Sequence, residues 1–118
     1  MISAQFLKRN GAIVGFTVKN HGQSKVCAAV SALTINAANS LEMFADCDLT
    51  VEHNENGGFL KVFVPMLSRG EENKAAAVLL NSLELGLNSI SETYKGSILV
   101  SVREENNHDY NESAIFRA

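Results

Sequence analysis

The sequence is notable first for what is scarce in it: it has no tryptophan, one proline and two cysteines, Cys27 and Cys47. No apolar run approaches the roughly 20 residues that a membrane-spanning helix needs. The N-terminus has no charged lead followed by an apolar block, so a signal peptide is not indicated. Without export signals the two thiols should stay reduced. We therefore expect a cytoplasmic protein with free cysteines and no membrane partner.

Acidic residues outnumber basic ones, so the formal net charge is −3. A nucleic-acid-binding domain usually carries a basic patch or stripe, so no direct nucleic-acid partner is expected. The chain has no paired Cys or His spacing typical of a metal site. No helix start follows Gly57-Gly58, as it would in a phosphate cradle. We expect neither a metal nor a cofactor.

Alternating apolar residues predict two β-hairpins in this chain of 118 residues. The first has strands over 2–9 and 12–19 around Asn10-Gly11, a pair that suits a tight primed turn. The second alternates through Leu49, Val51 and His53, turns at residues 55–58, and returns through residues 60–64. Pro65 should close that strand, where no ladder donor is needed.

Two amphipathic segments predict helices, each following one hairpin. From Lys25 the apolar residues recur every three or four positions, and Ser24 is the expected N-cap. The predicted apolar face of this helix comprises Val26, Val30, Leu33, Ala37, Leu41 and Phe44. A second helix is expected over about residues 71–94. Its predicted apolar face comprises Leu79, Leu83, Leu87, Ile90 and Tyr94.

A fifth strand is indicated by Ile98, Val100 and Val102, after Gly96 ends the second helix. The order β-β-α-β-β-α-β predicts a two-layer α+β fold, with a mainly antiparallel sheet covered by two helices. We expect a single domain over residues 1–103. Residues 104–118 are polar and aperiodic, and we expect a flexible C-terminal tail there.

The residues that could carry chemistry are Cys27 and His21. Cys27 should lie in the first turn of the first helix, where unpaired amides and the helix dipole favour a thiolate. His21 lies on the preceding loop and could reach that helix end, to act as a general base or acid. The same amides could hold the oxyanion of a tetrahedral intermediate.

Ordinary structural roles compete with this interpretation. A cysteine near a helix start is usually a small buried hydrophobe, and a single loop histidine is more often solvated. Ser31, one turn beyond Cys27, commonly just bonds back to a helix carbonyl. Cys47 and His53 receive no role. Residue chemistry alone makes a Cys27-His21 pair plausible without requiring it.

The segment VCAAVSALTINAANSLE, residues 26–42, adds a family resemblance. A loop histidine, a Val-Cys-Ala helix start and a serine four residues after the cysteine resemble the ribosomal-processing cysteine protease (Prp) family. The Asn-Gly-Gly turn supports the match, which covers residues 1 to about 103. The resemblance implies Cys27 as nucleophile, His21 as general base and Ser31 as a supporting residue. It also implies a homodimer that removes the N-terminal extension of a large-subunit ribosomal protein precursor.

The chain departs from the family pattern between the histidine and the cysteine. The loop is shorter, Asn20 replaces the usual glycine before the histidine, and Ser24 replaces an aspartate three residues before the cysteine. Ser24 could still support the site by capping the helix. The alternative function is a non-catalytic ribosome-assembly or binding module that retains the fold. The pH dependence of alkylation at Cys27 against Cys47 discriminates between the two.

Overall fold

The strands and helices follow the predicted order, with one short helix added. The computed structural model describes residues 1–105. Its elements are β1 (Ile2–Arg9), β2 (Ala12–Lys19), α1 (Ser24–Ala45), β3 (Thr50–His53), β4 (Phe59–Phe63), α2 (Pro65–Ser68), α3 (Lys74–Thr93) and β5 (Ile98–Glu105). The α+β prediction is confirmed. The expected tail beyond residue 105 lies outside the described residues.

The sheet has the strand order β3-β4-β2-β1-β5 and is mostly antiparallel, because among the strands of residues 1–105 only the β1–β5 pair is parallel. Strands β2 and β4 pair so that Lys19 faces Phe59. The loop that follows β2 therefore lies beside the turn that precedes β4. This register brings two segments that are far apart in sequence to one end of the sheet.

The core forms where α1 and α3 pack on the sheet. The predicted stripe of α1 is mainly correct, since Val26, Val30 and Leu41 are buried. Phe44, however, is 71% exposed, so its placement in the core was wrong. Ala45 is buried instead, because it continues the four-residue spacing from Leu41 at the end of the helix.

The region between β4 and α3 differs from the expectation. Pro65 begins the short helix α2, for which its fixed φ is suited. The buried Arg9 side chain donates to the carbonyl oxygen and to Oγ of Ser68, at 3.2 and 3.0 Å, and so ties α2 to β1. Helix α3 starts at Lys74 rather than near residue 71, because the Asn73 side chain caps it by accepting from the amide of Ala76 at 3.0 Å.

Strand β5 extends two residues beyond the expected domain boundary. Glu104 and Glu105 pair with Lys8 and Arg9 of β1. The Glu105 carboxylate lies 3.9 Å from the Arg9 guanidinium and 2.9 Å from that of Arg103. Polar residues can therefore still complete an edge strand when they have partners in the neighbouring strand.

Helix α3 allows a matched test of the core. Leu87 is fully buried and Leu85 is 70% exposed on the same helix. We expect Leu87→Ala to lower the free energy of unfolding by about 2–5 kcal/mol, because it removes buried methyl groups and leaves a cavity. Leu85→Ala should change it by less than about 0.5 kcal/mol. Urea denaturation measures both, and equal losses would contradict the described packing.

Candidate active site

A cavity of about 460 Å³ opens where β2 ends, α1 begins and the β3–β4 turn comes close. Cys27, His21 and Ser31 all line it. Leu60 and Ile35 contribute apolar surface. The structure thus brings together the three residues to which the family resemblance implied roles. Ser24, the fourth predicted site residue, is not among the residues that line this cavity.

Cys27 lies in the first turn of α1, as expected, and its side chain is half-buried. Its amide donates to the carbonyl oxygen of Gln23 at 2.9 Å. Its sulfur accepts from the amide of Gly22 at 3.2 Å and lies 3.5 Å from the Gly22 carbonyl oxygen. The loop therefore folds back onto the sulfur and supplies a donor that would stabilise a thiolate.

Ser24 does not cap α1, so that prediction was wrong. The N-cap is Gln23, with φ −59° and ψ 144°, and its side chain makes no capping hydrogen bond. Ser24 is already the first helical residue, one position too late for its hydroxyl to serve as the cap. The first-turn amides next to Cys27 are consequently left without a side-chain cap.

The His21 side chain lies against the β3–β4 turn. The amide of the preceding residue, Asn20, donates to the Gly58 carbonyl oxygen at 2.8 Å, which ties the loop to the hairpin. Asn20 has a φ of 73°, in the left-handed region that asparagine tolerates better than most residues. This conformation explains how asparagine can stand where the family usually has glycine.

The helix start is also held from the α3 side. The Lys25 ammonium lies 5.0 Å from the centre of the Tyr94 ring, a cation–π contact. Tyr94 follows the last residue of α3 and is 37% exposed, so its expected place on the apolar face was wrong. Its role in the structure is to join the end of α3 to the start of α1.

His53, to which the sequence pattern assigned no role, ends β3 and also lines the cavity. Asn54, Gly57 and Gly58 of the same hairpin line it too. Nothing in the local pattern around His53 indicates this position. The cause is the β3–β4 and β4–β2 pairing, which places the end of β3 beside the loop that carries His21.

Cys47 lies in a different environment from Cys27. It is 4% exposed and lies just after the C-cap of α1. Burial, with smaller contributions from the Asp46 and Asp48 carboxylates, raises the pKa of the Cys47 thiol. The Asn73 side chain lies 3.8 Å from its sulfur. This environment keeps the thiol protonated, so Cys47 is suited to packing rather than to nucleophilic chemistry.

Residues 1–105 hold neither a metal-ligand cluster nor a membrane-spanning helix. In that part of the chain, no group of three or more His, Cys, Asp or Glu side chains could hold a metal ion. None of its helices is long and apolar enough to cross a membrane.

A thiol at a helix start that shares a cavity with an imidazole is the arrangement of a cysteine peptidase. Comparison with known families agrees with that class. The model of the family described as "Cysteine protease Prp" matches residues 1–99. The chain belongs to this family.

Individual relatives are consistent with the family. The ribosomal processing cysteine protease Prp of Bacillus subtilis is 28% identical over 81 residues, which is 69% of this chain and 72% of that protein. The crystal structure of SMU.848 from Streptococcus mutans superposes with a TM-score of 0.78 at 26% identity, over 89% of this chain and 96% of that one.

A further structure shows the same fold at lower identity. The essential ribosomal processing protease Prp from S. aureus, in complex with a covalently linked product peptide, has a TM-score of 0.77 and 20% identity. The match covers 87% of this chain and 100% of that chain.

Proposed function

We propose that this chain is a cysteine endopeptidase that removes the N-terminal extension of a large-subunit ribosomal protein precursor. The observation that carries the proposal is that Cys27 and His21 line one cavity at the start of α1. The name of the Bacillus subtilis relative, a ribosomal processing protease, supports the substrate class. The S. aureus relative, crystallised with a substrate peptide, supports a peptide ligand.

The proposed reaction begins with His21 taking the thiol proton of Cys27. The thiolate sulfur attacks the scissile carbonyl carbon, and the first-turn amides of α1 hold the oxyanion. When the C–N bond breaks, His21 returns the proton to the departing amine. Water, deprotonated by His21, then attacks the thioester, and the released sulfur regains the proton.

Ser31 is proposed to support the substrate rather than the proton transfer. It is exposed and lies one helical turn beyond Cys27 on the wall of the same cavity. A hydroxyl there can donate to, or accept from, a peptide backbone placed across the cavity.

The protein is further proposed to act as a homodimer in the cytoplasm, where ribosomal precursors are made. The sheet face opposite the helices supports a partner surface, because Phe59 and Leu7 line a second cavity there. Size-exclusion chromatography with light scattering measures the assembly, and a monomer at micromolar concentration would contradict the homodimer.

The substrate proposal is tested with the extended precursor from the organism that encodes this chain. We expect the purified, reduced protein to release one N-terminal peptide, identified by mass spectrometry of both products. The same ribosomal protein without its extension is the matched control and should stay intact. An uncut extended precursor, with Cys27 shown to be reduced, would refute the assignment.

A further inference from the structure

We propose that Gly58 is a positioning residue for the reaction: its missing side chain makes the room in which the His21 imidazole lies. The proposal rests on the proposed function, since His21 is taken as the group that moves the proton. It assigns a role to a glycine of the β3–β4 turn that is 37 residues from His21 in the sequence.

The sheet register and one hydrogen bond hold this turn beside His21. Lys19 pairs with Phe59 as the last residue of β2 and the first of β4. Asn20 directly follows β2, and Gly58 directly precedes β4. The amide of Asn20 donates a hydrogen bond to the carbonyl oxygen of Gly58 at 2.8 Å. The backbones on either side of the contact are therefore joined, and neither can withdraw without losing this bond.

The imidazole lies directly over Gly58. A β-carbon added to Gly58 would come to 2.5 Å from Nε2 of His21, and to 3.2 Å from Cδ2 and from Cε1. Real β-carbons essentially never approach a heavy atom closer than 3.0 Å. Because His21 is exposed, its ring is the part that can give way, and it would leave its present position on the cavity wall.

Gly57 provides a nearly ideal control. Both glycines have positive φ, 76° at Gly57 and 82° at Gly58, so alanine strains the backbone at either position. A β-carbon on Gly57 would meet Cε1 of His21 at 3.6 Å, an ordinary van der Waals contact. The difference between Gly58→Ala and Gly57→Ala therefore isolates the displacement of the imidazole from the backbone strain.

The experiment compares Gly58→Ala with Gly57→Ala in the full chain, each also combined with His21→Ala. We expect both single variants to lose similar amounts of thermal stability. Gly58→Ala should lower kcat by roughly 100-fold more than Gly57→Ala, because misplacing a catalytic group by about 1 Å can cost that much, while KM changes little. The imidazole proton and carbon NMR signals of His21 should move in Gly58→Ala and much less in Gly57→Ala. With His21→Ala present, the two glycine variants should have equal activity.

Equal losses of kcat in the two single variants, or a difference that persists without His21, would overturn the proposal. The NMR comparison also separates it from the proposed function. If the wild-type protein cleaves no precursor, the protease assignment fails. In that case, unchanged NMR signals of the His21 imidazole in Gly58→Ala would overturn the positioning role as well. Shifted signals would still support the contact between the imidazole and Gly58.

Discussion

Replacing Cys27 with alanine is expected to abolish cleavage of the extended precursor, whereas Cys47→Ala should keep it. The loss at Cys27 should be on the order of 10⁴-fold or more, because removing a nucleophile removes the covalent pathway itself. Cys47 is buried at the far end of α1, outside the cavity that holds Cys27 and His21. Its replacement should lower stability without changing turnover per folded molecule.

The measurement is the rate of peptide release under single-turnover conditions, with folding of each variant checked by circular dichroism. Cys27→Ser is a useful second variant, because it keeps nearly the same volume and should be as inactive as Cys27→Ala. Cleavage that persists at the wild-type rate in Cys27→Ala would refute the nucleophile. Inactivity of Cys47→Ala in its folded form would show that the assignment of the two thiols is wrong.

Alkylation distinguishes the protease from a binding module that has merely kept the fold. Burial and the two flanking aspartates raise the pKa of the Cys47 thiol, so Cys47 should react slowly until the pH is well above that of an ordinary cysteine. Cys27 accepts a hydrogen bond from the Gly22 amide and faces a cavity. Rapid alkylation of Cys27 at lower pH favours the protease, while two equally slow thiols favour the binding module.

The features that could be predicted from the sequence are those that depend on neighbouring residues. The Asn10-Gly11 pair predicts the turn because both residue types tolerate positive φ. In the structure they adopt φ values of 51° and 82°. Strands β1 and β2 follow directly from this turn, with the predicted bounds. The position of Cys27 followed from the change of period after residue 24, which needs no knowledge of the rest of the molecule.

The features that were missed depend on residues far apart in the chain. His53 lines the cavity only because two strand pairings bring the end of β3 to the loop after β2. The last residues of β5 depend on partners in β1, among them Arg9. Even the cap of α1 lies at Gln23, one residue before the expected Ser24, because the side-chain preference for an N-cap does not by itself fix where the backbone enters the helix.

His21 and His53 both line the cavity, and mutation can decide which of them is the general base. We expect His21→Ala to lower kcat by roughly 10²–10⁴-fold, the usual contribution of a positioned acid–base group. His53→Ala is the matched control, because it removes the same ring from the same cavity. His53 ends an edge strand whose residues are all exposed, whereas His21 lies on the loop that also binds the Cys27 sulfur through Gly22.

The expected loss for His53→Ala is at least about tenfold smaller, since its ring need not move a proton for the reaction to proceed. Single-turnover rates across a pH series measure both variants, with Tm as the check on folding. If His53→Ala lowers kcat as much as His21→Ala does, His53 would replace His21 as the candidate general base. The reason to expect a specific effect of Gly58→Ala would then be lost. The role proposed for Gly58 in the turn before β4 therefore depends on His21, in the loop after β2, being the general base.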